Sequence, residues 1–180
     1  MLPADYRDVD AVAILGMGGS AIGGDLARTL AAASSPVPIV TLREYDLPSW
    51  VNRHTLVIGN SYSGNTEETL SAFAQAVERH CKLIAITTGG KLREAALDAQ
   101  APVFQFDYKS QPRAALGYSI TPLIGIFQKL SYEDARVIAQ FDLVGGGKLG
   151  GAEVQSVWAA DEVEHLAVNA GHFGLEPALE

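Results

Sequence analysis

Three hydroxyl side chains and a glycine are concentrated between a strand-like run and a helix-like run. Residues 60–68 read Asn-Ser-Tyr-Ser-Gly-Asn-Thr-Glu-Glu, and the hydroxyls belong to Ser61, Ser63 and Thr66. The first turn of a helix presents unpaired N–H groups at the positive end of its dipole, and hydroxyls add donors without the long stem of lysine. The stretch therefore predicts an anion site, with phosphate as the natural occupant. The same residues are also ordinary turn formers, so this loop alone leaves both interpretations open.

The end of this loop carries signals for the start of a helix. Gly64 allows a tight turn, and either Asn65 or Ser63 is suited to cap the helix. Glu68 follows Asn65 by three residues, which is the spacing of a capping box. The helix is predicted over Thr66 to His80, where Leu70, Phe73, Ala74 and Val77 recur at helical spacing.

A second, glycine-rich loop follows an earlier strand-like run. Residues 16–24 read Gly-Met-Gly-Gly-Ser-Ala-Ile-Gly-Gly and lead into a helix predicted over Asp25–Ala33. Gly18 and Gly19 permit close approach of the backbone to a ligand, and Ser20 is predicted to cap the helix and offer a further donor. The chain thus has two candidate anion loops, each at a strand-to-helix junction.

Strand-like and helix-like runs alternate through most of the chain. The alternation predicts an α/β fold: a three-layer sandwich with a five-stranded parallel sheet, flavodoxin-like, with helices on both faces. Besides the two helices already named, helices are predicted at Leu92–Ala99 and Ala114–Leu130. The strands are predicted at Ala11–Leu15, Ile39–Leu42, Thr55–Gly59, Leu83–Thr87 and Val103–Phe106.

The expected strand order places the two loops side by side. In a sheet of order 2-1-3-4-5, strands one and three are neighbours at the switch point, and ligands bind outside the carboxyl ends there. The glycine-rich loop follows strand one and the hydroxyl loop follows strand three. Both loops are therefore expected to face one crevice.

Composition narrows the class of protein. The chain has 180 residues, 48% of them hydrophobic, which suits one well-buried domain. No run is long enough to cross a membrane and the N-terminal residues lack a signal-peptide pattern, so a cytoplasmic protein is expected. A net charge of −8 argues against a nucleic-acid partner.

Cysteine and histidine give no sign of redox or metal chemistry. Cys81 is the only cysteine and is expected to be a buried, inert thiol. His54, His80, His165 and His172 are too scattered along the chain to suggest a ligand set. We therefore assign no metal.

A cation is expected at the same edge of the sheet. Arg113 lies between the fifth predicted strand and an apolar helix-like stretch. A guanidinium there could stabilise negative charge that develops on a sugar oxygen. The alternative is a solvated arginine, although a cation near a helix start opposes the helix dipole.

Three motifs in this order resemble the sugar isomerase (SIS) domain family, specifically the first SIS domain of the bifunctional phosphoglucose/phosphomannose isomerases. They are Gly16-Met-Gly-Gly-Ser20, the loop at residues 60–68, and Pro112-Arg-Ala-Ala-Leu-Gly-Tyr118. The resemblance covers roughly residues 9–130. It implies binding of a hexose 6-phosphate and interconversion of aldose and ketose through an enediolate, without any cofactor.

The resemblance also assigns roles to residues. It implies that Ser61, Ser63 and Thr66 bind the substrate phosphate. Gly18, Gly19 and Ser20 would line the sugar, which could be glucose 6-phosphate or mannose 6-phosphate. Arg113 would lie near C1 and C2 as a catalytic residue.

The catalytic base is not evident in the sequence. Relatives are expected to carry it in a second SIS domain or across a dimer interface, so the partner would be a second SIS domain or another copy of the chain. We expect the SIS domain at residues 1–142, followed at 143–180 by a glycine-rich linker and a helical tail, with no second SIS domain. The acid/base residues of that tail are Glu162, Glu164, His165 and His172, and an ordinary surface helix explains them better.

Two other functions stay open from the sequence. A non-catalytic module that senses sugar phosphates would need the same loops and no base. A dinucleotide-binding dehydrogenase is suggested by Gly16-x-Gly18-x-x-Ala21, but that fingerprint requires an acidic residue at the end of strand two, where Arg43 comes first. It also leaves the hydroxyl loop without a role.

Overall fold

A computed structural model describes residues 2–107 and 116–130 of the chain. A short 3-10 helix at Ala4–Arg7 precedes the sheet. The remaining elements, in chain order, are β1 (Ala11–Leu15), α1 (Gly18–Ala31), β2 (Ile39–Leu42), β3 (Thr55–Asn60), α2 (Glu67–Glu78), β4 (Lys82–Thr87), α3 (Gly90–Asp98), β5 (Val103–Gln105) and α4 (Leu116–Lys129).

The five strands form one sheet in which every pairing is parallel. Their order is β2-β1-β3-β4-β5, so the predicted fold class and strand order are confirmed. Leu15 of β1 pairs with Leu42 of β2 on one side and with Gly59 of β3 on the other. The carboxyl ends of β1 and β3 are therefore adjacent, at the point where the strand order reverses.

Both faces of the sheet are covered, which explains why the strand sequences are almost continuously apolar. On one face, Val12 and Ile14 of β1 pack with buried residues of α1 and α4, among them Ala27 and Phe127. On the other face, alternate strand residues such as Val57 pack against α2 and α3. The period of two along each strand sends neighbouring residues into opposite cores.

The first helix begins earlier than the sequence predicts. It starts at Gly18 rather than Asp25, because its small residues allow it to pack closely instead of forming a loop. At Gly23 an added Cβ would lie 2.8 Å from the Cβ of Ser119 in α4. A segment rich in glycine and alanine is thus the contact face of a helix.

Strand ends differ from the predictions by one residue. β3 continues to Asn60, β4 begins at Lys82, and β5 ends at Gln105. The extension of β3 brings the side chain of Asn60 into the buried end of the sheet, where it is 1% exposed.

The predicted helix caps are wrong. Met17 and Thr66 occupy the N-cap positions of α1 and α2, and neither makes a side-chain capping hydrogen bond. Ser20 lies within the first turn of α1, and Asn65 precedes the cap of α2, so the proposed capping box with Glu68 is out of register. The Asn65 side chain instead accepts the Lys91 N–H of α3.

Candidate functional site

The two loops meet at the carboxyl edge of the sheet and are tied to each other. The Asn60 side chain, at the end of β3, donates from Nδ2 to the carbonyl oxygen of Ser20 in α1 at 3.1 Å. The backbones are so close that a Cβ on Gly16 would lie 2.9 Å from the Asn60 carbonyl oxygen. The loops therefore share one rim of the sheet.

The hydroxyl loop is held by hydrogen bonds among its own members. Ser61 Oγ and Thr66 Oγ1 lie 3.0 Å apart, and Ser61 Oγ also accepts the Gly64 N–H at 3.2 Å. Ser63 Oγ accepts the Asn65 N–H at 3.2 Å. Ser61 is buried at 2% exposure, whereas Ser63 is exposed and Thr66 is half-buried. Ser63 and Thr66 are thus the hydroxyls that solvent reaches.

Backbone donors remain available beside these hydroxyls. Within the described residues, the amides of Ser63, Glu67 and Glu68 make no hydrogen bond to the protein. The last two belong to the first turn of α2, whose N–H groups have no intrahelical acceptor and point away from the helix body. Together with the hydroxyls they form a set of neutral donors suited to an anion.

The glycine-rich loop contributes a second helix start. Gly18 and Gly19 begin α1, and in the part of the chain that the structure covers their amides also donate to no protein atom. Gly18 has a φ of +51°, a left-handed conformation that glycine adopts without strain. Ser20 is buried at 8% exposure, and its carbonyl oxygen is the acceptor for Asn60.

Acidic residues border this edge of the sheet. Glu67 accepts a hydrogen bond from the Tyr45 hydroxyl at 3.4 Å. The negative charge of Glu68 raises the pKa of Tyr45 above its ordinary value, and Glu67 adds to that effect. The charges of these two carboxylates would oppose an approaching anion rather than assist it.

The cation at the end of β2 is already engaged. Arg43 pairs with Asp25 of α1 through a hydrogen-bonded ion pair. Burial would raise the pKa of Asp25, but the hydrogen bond from Arg43 and the positive charges of Arg43 and Arg28, acting with the other lowering causes, together outweigh it, so the pKa is lowered. The end of β2 therefore presents a neutralised pair.

Not every predicted site residue falls in the described part of the chain. The structure brings together Gly18, Gly19, Ser20 and the three loop hydroxyls. Arg113 lies outside the described residues, as do the acid/base residues of the tail and the predicted boundary at residue 142.

The residues that hold the site together were not evident from the sequence patterns. Asn60 links the two loops and Asn65 links the hydroxyl loop to the start of α3. An asparagine at the end of an apolar strand was the available signal for the first, since a buried amide requires partners. The second was misassigned as a helix cap.

The described residues also bear on metal ligands, membrane spans and the cysteine. They contain no cluster of three histidine, cysteine or carboxylate side chains placed to hold a metal. None of their helices is long and apolar enough to span a bilayer. Cys81 is a buried free thiol, as the sequence predicts, and burial raises its pKa although the Arg79 charge acts in the opposite direction.

The strand order and the parallel sheet resemble those of an α/β domain of the SIS type. A solved structure with this fold, a Bacillus subtilis protein assigned as a phosphosugar isomerase, superposes with a TM-score of 0.56 and 26% identity. The superposition covers 76% of this chain and 45% of that one. No protein-family model matches the chain.

Sequence relatives narrow the resemblance. Over 124 residues the chain is 52% identical to the bifunctional phosphoglucose/phosphomannose isomerase of Caldicellulosiruptor bescii, covering 69% of this chain and 37% of the relative. It is also 35% identical over 141 residues to the D-glucosamine-6-phosphate 4-epimerase of Sulfolobus acidocaldarius, covering 78% of this chain and 44% of the relative. The SIS resemblance drawn from the three motifs is confirmed. The chain spans less than half the length of these relatives.

Proposed function

We propose that this chain is the phosphosugar-binding part of an aldose–ketose isomerase that acts on hexose 6-phosphates. The supporting observation is the joined pair of loops, in which the Asn60–Ser20 hydrogen bond of 3.1 Å ties the end of β3 to the first turn of α1 at the carboxyl edge of the sheet. A phosphate ester carries charge on several oxygens, so it requires several converging donors, and this rim supplies hydroxyls and amides from two elements.

The proposed binding mode assigns one end of the substrate to each loop. The phosphate is held by Ser61, Ser63 and Thr66 together with the first-turn amides of α2. Ser61 is buried and hydrogen-bonded to Thr66, so it also orients the Thr66 hydroxyl. The sugar extends toward the start of α1, where glycines leave room for it.

The chemistry itself needs groups beyond the described residues. Moving a proton between C1 and C2 requires a base, and the enediolate needs a positive or hydrogen-bonding partner. We propose Arg113 as the partner for the oxyanion. The base would come from a second SIS domain or from another copy of the chain, which makes assembly part of the proposal. Residues 1–142 would form the binding domain, with a linker and tail at 143–180, in a cytoplasmic enzyme without a cofactor.

Two alternatives differ in their chemistry. A non-catalytic sensor would use the same loops and no base, and it is separated from the isomerase by turnover. A dinucleotide-binding dehydrogenase has less support, because Arg43 at the end of β2 is paired with Asp25 and would not accept a ribose hydroxyl as an acidic residue does.

Calorimetric titration tests the proposed site. Glucose 6-phosphate and mannose 6-phosphate should bind to the full chain, and glucose should not. Ser63→Ala and Thr66→Ala should each weaken binding by about 1.5–3 kcal/mol, the usual value of a hydrogen bond to a charged group, or roughly ten- to a hundredfold in Kd.

A matched control uses a serine at the opposite edge of the sheet. Ser35 Oγ donates to the carbonyl oxygen of Val37 at 2.7 Å, just before β2. Ser35→Ala should leave the Kd unchanged. Equal affinity for the ester in the wild type, Ser63→Ala and Thr66→Ala would show that the phosphate binds elsewhere.

Turnover separates the isomerase from the sensor. We expect little or no formation of fructose 6-phosphate by the isolated chain, because its base is proposed to come from a second SIS domain or another copy. Addition of a second SIS domain, or a higher concentration of the chain so that copies associate, should restore turnover. A chain that binds the ester tightly but stays inactive in every assembly would favour the sensor.

A further inference from the structure

The turn between β4 and α3 is hydrogen-bonded to the backbone of the hydroxyl loop. Thr88 donates to the carbonyl oxygen of Tyr62 from both its backbone N–H, at 3.1 Å, and its hydroxyl, at 2.8 Å. The Leu92 N–H, in the first turn of α3, donates to the carbonyl oxygen of Gly64 at 2.9 Å. The start of α3 therefore binds the loop rather than a ligand.

Asn65 connects Ser63 to that support. Its Oδ1 accepts the Lys91 N–H of α3 at 3.2 Å, while its Nδ2 donates to the Ser63 carbonyl oxygen at 3.1 Å. Its own backbone N–H donates to Ser63 Oγ at 3.2 Å. The Ser63 hydroxyl oxygen thus already accepts one hydrogen bond from the protein, and its proton can donate to a ligand outside the loop.

The Asn65 side chain uses both its amide donor and its amide acceptor in this part of the structure. An acceptor alone would satisfy Lys91 but leave the Ser63 carbonyl without its donor. A longer glutamine would displace one of the two contacts by a methylene. Asparagine fits because its short side chain places Nδ2 at 3.1 Å from the Ser63 carbonyl oxygen and Oδ1 at 3.2 Å from the Lys91 nitrogen.

We infer that Asn65 is a positioning residue for the anion site. It fixes the Ser63 hydroxyl as an outward donor by anchoring the loop to the first turn of α3, without touching the ligand itself. The expected effect of Asn65 on ligand affinity rests on the proposed function. Its expected effect on the stability of the loop does not depend on any ligand. Preorganised donors bind more tightly because no ordering is required at the moment of binding.

The chain offers a matched control at Asn52. Its side chain makes the same kind of bridge, donating to the Trp50 carbonyl oxygen at 3.0 Å and accepting the His54 N–H at 2.8 Å. It lies just before β3, at the opposite edge of the sheet from the hydroxyl loop. Both asparagines are exposed, so their replacement by alanine removes comparable contacts.

The first measurement is amide hydrogen exchange in the ligand-free full chain. Asn65→Ala should speed exchange of the Leu92 N–H by on the order of tenfold or more, because local opening of the loop becomes easier. Asn65→Asp keeps the acceptor for Lys91 and should give an intermediate rate. Asn52→Ala should leave the Leu92 rate unchanged. Equal Leu92 rates in Asn65→Ala and the wild type would overturn the positioning role.

The second measurement is the Kd for glucose 6-phosphate by calorimetry. Asn65→Ala should weaken binding roughly tenfold, as expected when one hydrogen bond to a charged group is misaligned, and Asn52→Ala should change it less than twofold. Unchanged affinity in Asn65→Ala, with a wild type that binds, would overturn the inference. A wild type that binds no ester, with faster Leu92 exchange in Asn65→Ala, would reject the proposed function and uphold the structural role.

Discussion

Gly64 is the position where a single methyl group should do most damage to the candidate site. Its φ is +67°, in the left-handed region. A Cβ built there would lie 1.8 Å from the carbonyl oxygen of Gly89 and 2.7 Å from Thr87 Oγ1. Neither the conformation nor the space is compatible with alanine, so in Gly64→Ala the hydroxyl loop must move away from the β4–α3 turn.

The cost has two parts. Holding alanine in the left-handed conformation costs about 1–2 kcal/mol. Relieving an overpacked contact costs about 1–3 kcal/mol more, and the contact here is with a backbone atom that cannot rotate away. We therefore expect Gly64→Ala to lose roughly 2–5 kcal/mol of unfolding free energy, a large part of the about 5–15 kcal/mol typical of a native domain.

Substitutions at two other glycines distinguish the conformational cost from the packing cost. Gly18 has a φ of +51°, but no atom of the described residues lies within 4 Å of a Cβ built there, so Gly18→Ala should show only the conformational cost of about 1–2 kcal/mol. Among the described residues, no atom lies within 4 Å of a Cβ built on Gly117 in α4, and its φ is not positive. Gly117→Ala should therefore be neutral or slightly stabilising, by up to about 1 kcal/mol.

The assay is urea unfolding of the four proteins, followed at low temperature by calorimetric titration with glucose 6-phosphate. The expected order of stability is Gly117→Ala at or above wild type, then Gly18→Ala, then Gly64→Ala. Folded Gly64→Ala should also bind the ester more weakly than the wild type. A Gly64→Ala protein as stable as Gly18→Ala would refute the packing argument, and unaltered affinity would refute the role of the loop.

Three further predictions use the same protein. Arg79 donates to the carbonyl oxygens of Leu47, Pro48 and Val51, so Arg79→Ala should cost about 2–3 kcal/mol in urea unfolding and Arg79→Lys less. Asn60→Ala should cost about 1–3 kcal/mol and weaken ester binding, since it leaves the Ser20 carbonyl without its donor; full affinity would contradict the link. Burial raises the pKa of the Cys81 thiol above its ordinary value, which makes stability depend on pH.

The sign of that shift fixes the pH dependence. A raised folded-state pKa means that the folded state keeps the Cys81 proton longer, so its contribution is present below about pH 9 and is lost as pH rises through the folded pKa. Unfolding free energy should fall more steeply above pH 9 in the wild type than in Cys81→Ala. Alkylation of the folded protein should be slower than that of the unfolded chain, and equal rates would show that the thiol is accessible.

The sequence by itself determined the architecture. Apolar strands such as Ala11–Leu15 alternate with amphipathic segments, and this periodicity is a local property that survives without knowledge of contacts. The parallel order and the adjacency of the two loops followed from general rules of sheet topology. The small and donor-rich residues of the two loops likewise predicted an anion site from the sequence alone.

Only the tertiary structure decided how the loop residues are used. Helix α1 begins at Gly18, within a segment that reads as a loop, because the benefit of close packing against α4 is a long-range term. Asn65 resembled a cap, yet it bridges Ser63 and Lys91, and the partner on α3 is 26 residues away in sequence. Local patterns specify what a residue prefers on its own, whereas a bridging amide is decided by which distant backbone groups the fold leaves without partners.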